Sequence, residues 1–319
     1  MGIRQRARYG GQITPHNSSK DFTSPRVAGG GGIYPNEPAG YTRYWENDFD
    51  HLPHSPPGVY GAAAGTDWWD EDDAGAVSSV VDATTPFGND KAMRWAFPGP
   101  NPGPAQPSGS APINVNVNSL TGGERHEQYI CQVLKIEGTD FENQSTGCKM
   151  GYFGYAEDQD GVFNQCIIMF FNDSGGVQAI EGPKLQLGFI QQGVTTEENY
   201  IYGNLNGGAA PIFQIGQFVV IEWVMKMNTM TTNTTGPNAG PNVADGELHM
   251  WLDGVKYHEH FDVVWRGVDI TNPSDPAPAI LNKGFQGWKV DPVWGGIGGT
   301  KTRDDFWRIA HIYGSGIAF

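Results

Sequence analysis

The stretch "DGELHMWLDGVKYHEHF", residues 245–261, carries the most legible local signal in the chain. Two alternating segments flank Asp253-Gly254, and Asp-Gly in that setting is a strong short-range sign of a two-residue β-hairpin. A two-residue loop pairs Leu252 with Val255, Trp251 with Lys256, His249 with His258 and Glu247 with His260. Period-2 alternation then gathers Glu247, His249, Trp251, Lys256, His258 and His260 on one face. Leu248, Met250, Leu252, Val255 and Tyr257 fall on the other, where Glu259 is a misfit. The hairpin predicts a half-buried antiparallel sheet whose polar face holds three of the chain's eight histidines and a tryptophan.

The same grammar repeats outward from the hairpin. "KAMRWAFP" (91–98), "RHEQYICQVLKIEG" (125–138), "CKMGYFGYAE", "NQCIIMFFND", "KLQLGFIQQG", "QFVVIEWVMKMNTM" and "DDFWRIAHIYGSGIAF" read as strands. Between them lie turn-rich stretches such as "GPNPGPAQPSGSAP". Within 125–138, Tyr129, Cys131, Val133 and Ile136 mark a half-buried strand. No sustained helical stripe appears. Hydrophobic content is a low 38%, but ten Trp, twelve Tyr and sixteen Phe supply apolar area, and Gly 45 with Pro 22 suits many short strands. The pattern predicts an all-β chain, an antiparallel two-sheet jelly-roll sandwich over residues 41–319 with an extended N-terminal arm.

That arm, residues 1–40, is basic and Gly-rich, with Arg4, Arg6, Arg8, Lys20 and Arg26 and little to bury. It is expected to lie on the acidic surface of another subunit and so to tether an assembly, most simply a homo-oligomer. The net charge of −15 argues against nucleic acid as a partner, since phosphate binding needs clustered Lys and Arg. It also disfavours polyanionic polysaccharides outside a local basic cleft. "MGIRQRARYGG" has no apolar segment behind its charges, so no signal peptide is expected. The longest run free of polar residues, "CIIMFF" (166–171), is too short to span a bilayer, so no membrane partner is expected either. Cys131, Cys148 and Cys166 are odd in number and lack metal-type spacing, which suggests reduced, buried thiols.

"FVVIEWVMKMNT" followed by "ADGELHMWLDG" resembles the concanavalin A-like jelly-roll superfamily, which includes laminin-G-like lectin domains and polysaccharide lyases. "GCKMGYFGY" (147–155) looks like the segment that leads into a sheet strand in the lyases. "DPVWGGIGGTKTRDDFWRIAHIYGSG" is similar to the closing stretch of members encoded by bacterial viruses. The resemblance covers roughly 120–319 and implies a fold that hosts many functions.

Several constellations could carry chemistry. Trp251 could stack on a sugar ring, with His249, His258, His260 and Glu247 as polar contacts of a glycan-binding face. Zinc at the same histidines needs a third ligand rising between His258 and His260, which stand about 7 Å apart along one strand. A lyase needs a group to neutralise the substrate carboxylate and a base beside it. Tyr152, Tyr155, Lys149, Arg125, His126, His249 and His258 offer those residue types, although the tight "R-x-E-x-R" and "Q-I-H" signatures are absent. The hydrolase-type "E-x-D-x-x-E" is missing too; "ENDFDH" (46–51) only begins like it. Calcium is the one cofactor suited to the acidic clusters around Asp67, Asp70, Asp158 and Asp160, and neither cluster completes a binding loop. No catalytic motif is complete. The reading that follows is a virion structural protein, a capsid-surface decoration protein with a lectin-like body that binds surface polysaccharide. The alternative is an extracellular polysaccharide lyase or glycoside hydrolase of the same fold.

Overall fold

The structure, a computed structural model, describes residues 34–47, 49, 68–70, 77–87, 91–97, 99, 113–117, 122–138, 140–143, 148–157, 163–171, 178–181, 186–192, 200–201, 215–229, 245–263, 284–285, 287–293 and 302–318. Among them the regular elements are seventeen strands, all paired antiparallel. The chain is an all-β jelly-roll with two large sheets.

The first sheet runs β15 (Val255–Val263), β14 (Gly246–Leu252), β13 (Val219–Lys226), β6 (Arg125–Ile136), β17 (Asp305–Ala318), β4 (Lys91–Phe97) and β3 (Val77–Val81). Its eighth strand, β1 (Thr42–Asn47), also pairs with β17. The long β17 thus offers one whole edge to β6 and divides the other, β4 lying opposite Asp305–Ile309 and β1 opposite Ile312–Gly316. The second sheet runs β12 (Tyr200–Ile201), β11 (Gln186–Gln192), β9 (Phe163–Phe171), β8 (Cys148–Glu157), β16 (Gly287–Val293), β5 (Ile113–Asn116) and β2 (Trp68–Asp70). A small ribbon joins β10 (Gln178–Glu181) to β7 (Asp140–Asn143). No helix among the described residues is long and apolar enough to cross a membrane.

Aromatic side chains fill the interior. Phe97, Phe141 and Trp307 form a triangle with ring centroids 5.1 to 5.7 Å apart, all fully buried. Trp45 of β1 meets Trp288 of β16 edge-on at 5.4 Å, which ties the first sheet to the second. Strands as rich in Val, Ile and Trp as "VVIEWVMK" suit this half of the molecule, because β-branched and aromatic residues pack well on a pleated surface.

The outer face of the first sheet departs from expectation. β6 is buried on both sides from Gln128 to Leu134, not half-buried. Residues of segment 34–41 and of turn 82–87 cover that face, and Tyr34, Tyr41 and Phe87 pack on a cluster that includes Tyr129, Cys131, Val133 and Val220. Cys131 is a free, buried thiol, as the sequence suggests; the side chains of Cys148 and Cys166 lie outside the described residues. Arm residues 1–33 lie outside them as well.

The hairpin has its expected turn. Asp253 and Gly254 both adopt positive φ, 50° and 75°, the conformation a type I′ turn requires. Leu252 pairs with Val255 and Trp251 with Lys256, as read. Beyond them a bulge between Met250 and Trp251 shifts the register, so His249 faces Glu259, Met250 faces His258 and Leu248 faces His260. The extra residue, Tyr257, corrects the proposed face. Glu259 ceases to be a misfit, and positions 258 and 260 leave the row of His249. β15 is the sheet's edge, with Phe261 and Val255 exposed on it.

Trp307→Ala should cost about 3–5 kcal/mol, the range for truncating a large core aromatic, read from the shift in urea unfolding midpoint.

Candidate functional site

The outer face of the first sheet is the best-defined polar surface among the described residues. A second bulge shapes it. In β17 the register against β6 shifts between Ile309 and His311, so Ala310 is the extra residue. Strict alternation would put Ile312 and Gly314 on the face of Arg308. The bulge instead turns out His311 and Tyr313, opposite Val133 and Cys131.

There they meet segment 34–46. The Tyr34 hydroxyl donates to Glu46 Oε1 at 2.6 Å and lies in hydrogen-bond contact with His311 Nε2. The Tyr34 ring stacks on Tyr313 with centroids 3.8 Å apart. Tyr313 donates to Glu37 at 2.6 Å, Tyr129 to Glu222 at 2.7 Å and Tyr41 to Glu127 at 2.7 Å. Asn36 donates its backbone N–H and its side-chain amide to the two oxygens of Glu222, at 3.2 and 2.7 Å. Glu222 is fully buried, and these three donors are what make a carboxylate tolerable there. Four phenols thus each serve one carboxylate. Burial first, and then the carboxylate beside each (for Tyr129, Cys131 ahead of Glu222), pushes Tyr34, Tyr41, Tyr129 and Tyr313 well above the ordinary phenol range. They are proton-retaining donors, the reverse of what a catalytic base requires.

A charged cluster follows on the same face. Arg94, Arg308 and Lys135 occupy opposed positions on three adjacent strands. Glu137 accepts two hydrogen bonds from Arg94, at 2.7 and 3.0 Å, and one from Arg308 at 2.5 Å. Asp82 accepts from Arg308 Nη1 at 2.8 Å and from Lys135 and Thr84. Burial pushes the Asp82 carboxyl up, but these donors outweigh it and bring it down to about 2. Lys135 and Arg308, through Asp82, fasten turn 82–87 to the sheet.

The hairpin face carries a smaller constellation. His249 Nε2 lies 2.8 Å from Glu247 Oε2 and His249 Nδ1 lies 3.1 Å from Glu259 Oε1. Trp251 stacks near His249 with centroids 5.9 Å apart, and Lys256 Nζ stands 5.1 Å from the Trp251 ring centre. Burial raises Glu247, but His249 and Lys226 more than offset it; a hydrogen bond from Lys256 lowers Glu259. With both ring nitrogens of His249 engaged, zinc has no lone pair to take there without breaking a contact. No group of three His, Cys, Asp or Glu side chains among the described residues is arranged so that it could hold a metal ion.

The lyase candidates divide between the sheets. Lys149, Tyr152 and Tyr155 belong to β8 in the second sheet, whereas His249 and His258 lie in the hairpin and Arg125 opens β6, all in the first. Tyr152 and Lys289 hold opposed positions, and Lys289 is opposed in turn to Asn114 and Asn114 to Trp69. That row alternates with the row of buried Trp288. Asp70 lies in β2; Asp67, Asp158 and Asp160 lie outside the described residues. Glu37, Glu222 and His311 escaped the sequence reading, because their partners stand far away in the chain and no motif joins them.

No family model and no curated protein matches the chain. Among solved structures the chain is similar to an endo-β-1,4-glucuronan lyase from the fungus Trichoderma reesei at 15% identity and TM-score 0.48, covering 87% of this chain and 97% of that one. It is also similar to the alginate lyase Aly36B at 13% and 0.47, covering 84% and 95%. For the alginate lyase vAL-1 from Chlorella virus the values are 11% and 0.47, covering 79% and 93%. Likeness at this level bears on neither activity nor site residues.

Tyr129→Phe should destabilise the fold by about 1–3 kcal/mol, since it strips a donor from a buried carboxylate, and Tyr41→Phe by less, because Glu127 is only half-buried. Chemical denaturation of both variants measures the difference. Asp82 supplies a pH signature. Its folded value lies below its ordinary 3.8, so its contribution is whole above about pH 4 and fades as pH falls toward 2. Unfolding midpoints should drop through that window in the parent and drop less in Asp82→Asn.

Proposed function

We propose that the protein is a non-catalytic structural sandwich, a virion structural protein of the capsid-surface decoration type whose hairpin face contacts glycans. The observation that supports this reading best is the fastening of segment 34–46. Four contacts, Tyr34 to His311, Asn36 to Glu222, Glu37 to Tyr313 and Tyr41 to Glu127, pin it across one sheet face. A chain rooted this firmly at residue 34 gives the preceding basic stretch a fixed point of departure. Its Arg4, Arg6, Arg8, Lys20 and Arg26 then meet the acidic surface of a neighbouring subunit. The phenols on this face, raised and committed as donors, suit structure better than proton abstraction.

For glycans, the half-buried Trp251 offers an aromatic surface held by His249 and Lys256, with Glu247 and Glu259 as acceptors for sugar hydroxyls. Two carboxylates at such a rim favour neutral sugars over uronates.

A lyase is the second reading. What favours it is the row in which Lys289, a cation, and Tyr152, a proton carrier, are directly opposed across β16 and β8. Activity on uronate polymers should then produce an ultraviolet-absorbing double bond, and Tyr152→Phe should abolish it.

Light scattering of the full chain beside a version lacking residues 1–33 separates the two readings. The structural reading expects the full chain to assemble with increasing concentration and the shortened one to stay a folded monomer. Identical monomers, together with double-bond formation on any polyuronate, would overturn it in favour of the lyase.

A further inference from the structure

β15 ends the first sheet, and among the described residues it pairs with β14 alone, so its other edge is open. Val255, Lys256, Glu259 and Phe261 are all exposed along it. An open edge is a row of free N–H and C=O groups, a template for another strand. The sequence of β15, "VKYHEHFDV", reads nearly the same in both directions. About Glu259 as centre, Val255 mirrors Val263, Lys256 mirrors Asp262, Tyr257 mirrors Phe261 and His258 mirrors His260. Two antiparallel copies related by a two-fold axis at Glu259 oppose those same positions. The residue types then suit the pairing, with Lys against Asp twice, an aromatic pair twice and valines at both ends.

The register of β15 with β14 carries the same symmetry. One break, between Met250 and Trp251, puts positions 256 and 257 opposite Trp251. Another, between Gly246 and Leu248, spans two steps of β14 against three of β15, so positions 261 and 262 fall opposite Glu247. Phe261 meets the His249 ring edge-on at 5.2 Å, which keeps position 261 on the outer face. The two extra residues thus lie within 256–257 and 261–262, at equal distances from Glu259. Bulges ordinarily guard an edge, because a bulged strand fits a regular one poorly. A second copy of β15 is bulged at the matching positions. The guard therefore turns away regular strands and admits this one in a single register.

We propose that β15 pairs antiparallel with β15 of a second copy of this chain, about a two-fold axis at Glu259. The contact is weak by construction. It is confined to one strand, short of the roughly 1,200–2,000 Å² that stable interfaces bury. The axis also sets Glu259 against Glu259, a like-charge pair, although each is countered within its own chain by Lys256 and His249. The pairing therefore rests on the assembly proposed above: arms that tether copies raise their local concentration and let the edges meet. What it adds is a second surface with its own symmetry. Paired in this way, two hairpins join their outer faces into one that presents Trp251 twice.

Cysteine cross-linking of the full chain under mild oxidation tests the register, with the parent and its own thiols as baseline. Glu259→Cys puts a thiol on the axis and should give a covalent dimer roughly tenfold faster than Val81→Cys, an exposed position on β3 at the far edge of the same sheet. Chains carrying Lys256→Cys and chains carrying Asp262→Cys should cross-link when mixed far faster than either does alone. That pair covers the case in which Glu259→Cys does not fold. Glu259→Gln, which removes the like charges, should strengthen self-association in light scattering, and Lys256→Ala should weaken it. Cross-linking no faster at 259 than at 81, or no gain on mixing, overturns the pairing. Assembly of the full chain without cross-linking at 259 sinks the pairing and spares the arm. Cross-linking at 259 that is equal with and without residues 1–33 sinks the arm and spares the pairing.

Discussion

The ladder between β6 and β17 holds the first sheet together, and its demands explain most of the polar chemistry described above. It joins Arg125–Ile136 to Asp305–Ala318 along nearly their full lengths. Both sides of it are covered, one by the sandwich interior and the other by segment 34–41 and turn 82–87. A polar side chain on such a ladder has little water to turn to, so a partner in the protein offsets the cost of its burial. Lys135 and Arg308 find Asp82, His311 finds Tyr34, and Tyr129 finds the Glu222 of the neighbouring strand. Networks of this kind fix one arrangement of strap and sheet rather than adding much net stability, because each pair also had to be desolvated.

How far the sequence could be read depends on the distance over which each cause acts. The I′ turn at Asp253-Gly254 is local chemistry and was legible, as were β4, β6, β8, β9, β11, β13 and β17, whose alternation or apolar runs are long enough to see. β5 and β2 have four and three residues, too few for a period to show. β16, "GWKVDPV", hides behind Asp291 and Pro292, which read as turn; the register break between Val290 and Val293 is where a proline without an N–H can be accommodated.

Three bulges mark the limit more sharply. Tyr257, Ala310 and His126 carry no turn chemistry, and each becomes the extra residue only because of the strand it faces. Yet they decide which side chains meet. One swaps His258 for Glu259 opposite His249, one turns His311 and Tyr313 outward, and one brings Arg125 against Gly316. The candidate site was therefore legible in residue type but not in arrangement. His249, Trp251 and Glu247 do share a face, whereas the pairs Tyr41–Glu127, Tyr129–Glu222 and Tyr313–Glu37 join positions too far apart for any spacing argument.

The position of β17 has a consequence for how the chain reaches its fold. β6 waits for a partner that lies most of the chain further on, and β1 and β4 wait for the same strand. Closing loops of that length before any contact rewards them is slow. On a ribosome, the first sheet stays open at its centre until β17 has emerged, with the apolar rows of β6 and β4 exposed meanwhile. Such an intermediate is prone to pair with another copy of itself. The same strand that seats the network is thus the one whose late arrival leaves the chain most dependent on slow synthesis or on chaperones.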